Sequence, residues 1–192
     1  MSKKQTKTTG KKTTKKVAAT VETANFNVVE GIAKRELLRF ITGFTLVIIA
    51  IFLLAAFVSY LYTGLQDFDK VENMSAADWA NSNASIKNIC GSLGAWVANF
   101  FLNLSFGLAS FLIIPFLVML GLRMMSIYRI RLVRKLILGI LLLVWTSVTL
   151  SFISSVIPGL DDSFLNLGGN HGKMIVRRVT AFAGTPGLLG LL

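Results

Sequence analysis

The sequence is short of most residues that do chemistry. Its 192 residues include one cysteine, Cys90, and one histidine, His171. A lone cysteine excludes an intrachain disulfide. Lys87 and Asn88 precede Cys90 closely, so it lies in no lipoprotein-type cleavage box and reads as an inert, partly buried thiol. His171 has only Asp161 and Asp162 near it in sequence, a poor donor set for zinc. There is no phosphate-binding loop of the GxxxxGK[ST] kind. Gly172-Lys173 is followed by Met174, and Leu167 stands where the first glycine belongs. No paired carboxylates, Cys–His pair or Ser-His-Asp order assembles. Charge is scarce too, at 15% of residues against about 25% in soluble domains. The sequence therefore assigns no catalytic, cofactor-binding or metal-ligating residue.

What is present is apolar. Hydrophobic residues make up 54% of the chain, and the mean hydropathy is +0.67. The net charge of +11 is unevenly placed: ten of the twenty Lys and Arg precede residue 40, and Arg123, Arg129, Arg131, Arg134 and Lys135 form a second group. Basic clusters that flank apolar runs set membrane topology. Residues 123–135 carry no acid and read as a cytoplasmic loop. No cleavable signal peptide is evident, because the first apolar run starts only at Phe40 and is longer than the usual h-region. Ser2 stands where myristoylation needs glycine.

In chain order, residues 1–24 are a Lys/Thr-rich tail expected to be disordered and cytoplasmic. Its contacts stay open between solvent, anionic headgroups and DNA. Residues 25–39 read as a juxtamembrane amphipathic helix. Residues 40–62 form a charge-free first span, with Tyr60 and Tyr62 at its outer end; Ala55 and Ser59 are a small-xxx-small step within it. Residues 63–87 are a polar outer connection. Its Asp67, Asp69, Glu72 and Asp78 do not match an EF-hand spacing, so they read as solvated.

Asn88 to Leu122 is charge-free over thirty-five residues, too long for one upright crossing. It divides into an outer-face helix up to about Phe101 and a span over 102–122 that contains Pro115. Gly94, Ala98, Ser105 and Ala109 fall near one face if the helix is continuous. Residues 136–157 form the next span, where Gly139, Ser147, Ser151 and Ser155 share an i, i+4 ridge. The serines can alternatively bond back to their own helix. The two small-residue faces are candidates for packing on each other or on a neighbouring subunit. Residues 158–173 are polar and Gly-rich. Ala183 to Leu192 begins a fourth span that the chain does not complete.

The fold expected is all-α and integral to the membrane: a four-transmembrane-helix bundle with its fourth span truncated and with interfacial amphipathic helices. The spans lack Asp, Glu, Lys, Arg and His, which argues against a proton or ion pathway. A small stand-alone transport or channel subunit remains the competing class. A DNA- or lipid-binding module acting through the tail is a third.

Several residues carry a resemblance. They are Asn88, Gly91, Gly94, Ala95 and Trp96 in an N-x-x-G-x-x-G-A-W pattern, then Phe106-Gly107, Pro115 and Gly121-Leu122-Arg123. Leu167-Gly168-Gly169 and Gly184, Gly187 and Leu188 continue it. With the span layout they resemble the N-terminal four-span membrane domain of FtsK/SpoIIIE-type DNA translocases over residues 40–192. The resemblance implies an inner-membrane anchor at the division septum that self-oligomerises and meets septal division proteins. It also implies a C-terminal ATPase, absent from this chain, that pumps DNA in chromosome segregation. ATP and magnesium would belong to that motor, as would DNA. No small-molecule substrate is indicated.

Overall fold

The computed structural model describes residues 6–72, 85–127, 132–157 and 165–191. Among these no strand occurs, and the elements are all helical. Three helical stretches are long and apolar enough to cross a membrane: Glu30–Val71, Gly107–Met124 and Val133–Val156.

Helix α1 runs unbroken from Thr6 to Glu72. Its 67 residues are about 100 Å long at 1.5 Å per residue. The sequence predicts a disordered tail, a separate amphipathic helix and a polar loop over parts of this range. The backbone shows none of those boundaries. The stretch contains no proline and few glycines, so nothing local stops the helix. Composition predicted disorder because the tail cannot bury a core, but a helix does not need a core to continue from one already formed.

One stripe of α1 is buried: Gly43, Ala50, Leu53, Phe57, Tyr60, Gly64, Asp67 and Val71. The spacing alternates between three and four residues beyond Ala50, as expected where helices pack at a shallow angle. The opposite face exposes Phe44, Ile48, Ile51, Leu54, Val58, Leu61 and Leu65. In water such a face would be a liability; in a bilayer it is ordinary lipid contact.

The chain leaves α1 and comes back along it. Asp67 is fully buried, and its carboxylate accepts the backbone N–H groups of Lys87 and Asn88, each at 2.9 Å. Asn88 Nδ2 donates to the Ala56 carbonyl at 3.0 Å, and Ile89 N–H donates to Ser59 Oγ at 2.9 Å. Cys90 Sγ lies 3.9 Å from the Phe52 carbonyl. The segment therefore descends from the level of Asp67 to that of Phe52, about 22 Å of helix axis. Asp67 is not a solvated loop acid, as the sequence predicts; it holds this descent.

Helix α2 (Gly91–Asn99) starts there, runs into a π-helical turn (Phe100–Ser105), and breaks at Phe106-Gly107. A 3₁₀ segment (Gly107–Leu112) and helix α3 (Ile113–Met124) follow. The second span is thus not one continuous helix over 102–122. Pro115 falls in the first turn of α3, where a missing N–H is tolerated. The bend comes instead at Gly107, whose φ is +69°.

Helix α3 packs along α1 at its far end. A Cβ on Gly43 would lie 2.6 Å from the Gly121 carbonyl oxygen, and one on Gly121 2.6 Å from that of Gly43. The two backbones touch, and only glycine allows it. Helix α4 spans Leu132–Val156, and helix α5 spans Gly169–Leu191 with a kink at Gly184 (φ +68°). These two pair with each other, burying Val148 and Val176.

Candidate functional site: a buried polar junction between helix breaks

The bundle is tied together where two breaks in helical structure meet. One is the π turn and Phe106-Gly107 after α2. The other is the segment Leu165–Gly168 before α5. Their glycines fit against each other: a Cβ on Gly107 would strike the Leu167 carbonyl, and one on Gly169 would strike the Ser105 carbonyl. Both glycines have φ +69°. Leu108 N–H donates to the Leu167 carbonyl at 2.8 Å.

Side chains complete the junction. Tyr60 Oη donates to Asn99 Oδ1 at 3.0 Å. Asn103 Nδ2 donates to Asn99 Oδ1 at 2.8 Å and to Tyr60 Oη at 3.0 Å. Asn103 Oδ1 accepts the Asn166 backbone N–H at 3.0 Å, and Asn166 Nδ2 reaches the Asn103 carbonyl at 3.3 Å. Asn170 Oδ1 accepts from Asn166 Nδ2 at 3.2 Å. One chain of amide and hydroxyl groups thus joins α1, the π turn and the start of α5. In the π turn Phe101 O accepts the Phe106 N–H at 3.2 Å, an i to i+5 bond, and Ser110 Oγ donates to the same oxygen at 2.7 Å.

The small residues singled out in the sequence lie close by. Gly94, Ala98, Ser105 and Ala109 are all buried within the chain. They do not share one helical face, because the helix is not continuous between Ala98 and Ala109. Gly94 meets Ala56 of α1. On α4, Ser147 Oγ donates to the Gly168 carbonyl at 2.5 Å, and Ser151 lies where a Cβ on Gly168 or Gly172 would fall. Gly139 instead faces the ring of Phe116 on α3. Ser155 is exposed and bonds back to the Phe152 carbonyl at 2.7 Å. Of the basic loop, Arg123 is exposed in the last turn of α3, and Arg134 and Lys135 are exposed in the first turn of α4. Arg129 and Arg131 lie outside the described residues.

Residues 35–192 match the family described as the 4TM region of DNA translocase FtsK/SpoIIIE. The chain belongs to that family. No curated protein and no solved structure matches it.

The FtsK/SpoIIIE motif residues take specific places in this structure. The N-x-x-G-x-x-G pattern occurs twice, at Asn88-Gly91-Gly94 and at Asn166-Gly169-Gly172. In both, the middle glycine is left-handed (Gly91 φ +66°, Gly169 φ +69°) and its N–H donates to the asparagine carbonyl, at 2.9 and 3.0 Å. In both, the last glycine lies against the preceding long helix, α1 for Gly94 and α4 for Gly172. The same turn therefore starts α2 and α5. Two helical hairpins, α1–α2 and α4–α5, are built on one plan. The repeat is visible in the spacing alone. Tyr60 is different: its position predicts a wet interfacial hydroxyl, but the ring is fully buried and its hydroxyl is bonded inside. Tyr62, 83% exposed, is the one that faces outward. His171 sets its ring edge-on to Phe106, centroids 4.9 Å apart.

Proposed function

We propose that this chain is the membrane anchor of a division-linked DNA translocase. It tethers a C-terminal ATPase motor on the cytoplasmic face of the inner membrane, at the septum, during chromosome segregation. The observation that carries this reading is the match of residues 35–192 to the four-span region of FtsK/SpoIIIE translocases, together with helices apolar enough to span. The role of the piece is mechanical. It has to hold position while the motor pulls on DNA, which favours a bundle with a single arrangement over a loose one. The buried junction and the glycine contacts supply that rigidity. ATP, magnesium and DNA belong to the motor, and the anchor contacts lipid, copies of itself and septal division proteins.

The N-terminus lies in the cytoplasm on this reading, as the Lys-rich tail and the basic group at 123–135 support. Two measurements test it. The reading frame downstream of Leu192 should encode a linker and then a Walker motif; a stop codon directly after Leu192 would refute the tethering role. Reporter fusions at residue 75 should report the outside and at residue 128 the inside. A residue 128 fusion found outside would overturn the orientation.

A further inference from the structure

An apolar cleft of about 260 Å³ opens between α3 and α4. Leu112, Phe116 and Leu120 line one wall, and Leu136, Ile140 and Leu143 the other. The lining runs from Leu112 to Leu120 on one side and over eight residues of α4, Leu136 to Leu143, on the other, about 10–12 Å of helix axis. That is most of one leaflet's hydrocarbon depth, about 15 Å. Water is a poor occupant, because an ordered water needs two to four polar partners and these walls provide none.

Basic residues flank one end of the cleft in the chain. Leu120 lies one turn before Arg123, and Leu136 directly follows Arg134 and Lys135. All three basic side chains are exposed. A groove that takes hydrocarbon and ends in fixed positive charge complements an amphiphile with a negative head. Basic pockets between transmembrane helices select anionic headgroups in this way. We propose that the α3–α4 cleft is a binding site for an anionic phospholipid, with an acyl chain along the cleft and the headgroup phosphate at Arg134, Lys135 and Arg123. The site depends on the helices spanning a bilayer and not on the tethering role. It would make residence of this domain sensitive to the anionic lipid content of the leaflet at the basic end.

The test uses the full chain, purified in detergent and stripped of lipid. Retention of phosphatidylglycerol and of phosphatidylcholine is then measured by native mass spectrometry. Phosphatidylglycerol should be retained at least fivefold better. The double variant R134Q/K135Q should bring it down to the phosphatidylcholine level. Ile140→Trp, which fills the mouth of the cleft, should weaken both lipids, and Leu120→Trp does the same from the opposite wall. Leu141→Trp, on the exposed face of α4, should leave retention unchanged. Inorganic phosphate should not displace the lipid. Equal retention of the two lipids would overturn the proposal. So would undiminished phosphatidylglycerol binding in folded cleft-filled variants, or its displacement by inorganic phosphate, since either would reduce the site to a basic surface.

Discussion

Asn103 is the most connected side chain of the junction, and Asn103→Leu tests whether the junction holds the bundle. Leucine keeps roughly the volume and removes the polar atoms. Three hydrogen bonds go: two donated by Nδ2, to Asn99 Oδ1 and Tyr60 Oη, and one accepted by Oδ1 from the Asn166 N–H. The first two are mild losses, because Tyr60 and Asn99 remain bonded to each other. At the membrane-protein average of about 0.6 kcal/mol they account for about 1 kcal/mol together. The third leaves a backbone N–H without an acceptor, which costs about 1–3 kcal/mol. Asn166 is half-buried, so the lower part of that range applies. The total expected is about 2–3 kcal/mol. Tyr60→Phe removes only one hydroxyl and should cost about 1 kcal/mol or less. The two changes share partners, so the double variant should cost less than their sum. Reversible unfolding in mixed detergent micelles, followed by tryptophan fluorescence, measures all three. An Asn103→Leu protein within about 0.5 kcal/mol of wild type, or strict additivity with Tyr60→Phe, would show that the junction is filler.

Three further outcomes follow from the backbone contacts. Gly107→Ala and Gly169→Ala combine a left-handed φ with a collision against the facing carbonyl, so each should abolish a monodisperse peak in size-exclusion chromatography. Gly184→Ala is their control: its φ of +68° with ψ of −178° is a backbone region that favours glycine, but the nearest atom to a Cβ is Pro186 Cδ at 3.4 Å, so only the conformational cost of about 1–3 kcal/mol applies. Asp67→Asn leaves one acceptor oxygen for two backbone donors, so one of the hydrogen bonds to Lys87 and Asn88 is lost outright; stability should fall by about 1.5–3 kcal/mol, with faster proteolysis of the following connection. Gly43→Leu should separate α1 from α3 and destabilise the protein strongly in the same unfolding assay. Gly31→Leu, at a position with open space around it, should not.

The sequence made the apolar spans legible and their joints much less so. Helix α4 lies within a few residues of the charge-free run between Lys135 and Pro158, because charges and proline mark where a helix must end in lipid. Helix α1 was harder. A run of uncharged residues marks what sits in hydrocarbon, but it does not say where the helix ends, and α1 extends well beyond it on both sides. The bend in the second span was hidden by Pro115, the more conspicuous breaker, while Gly107 set it through a close approach to Leu167 that only tertiary structure reveals. Asn99 and Asn103 read as polar interruptions in an apolar helix. Their partners, Tyr60 and Asn166, lie 39 and 63 residues away in the chain, beyond any periodic pattern.

The junction also answers a physical question that apolar composition raises. In lipid, a leucine gains nothing by leaving hydrocarbon for another helix, so burial does not choose one packing over another. What discriminates is contact that lipid cannot imitate. Backbone against backbone at Gly43–Gly121 and Gly107–Gly169 is one kind, and amide-to-amide hydrogen bonds at Asn99, Asn103 and Asn166 are the other. Both kinds fail if the helices slide by a single turn, because the glycines then face side chains and the amides lose their acceptors. The exposed face of α4, rich in Leu and Ile, carries no such constraint and is free to meet lipid. On the proposed reading, an anchor that must resist a pulling motor needs the first property on its inside and can leave the second to its surroundings.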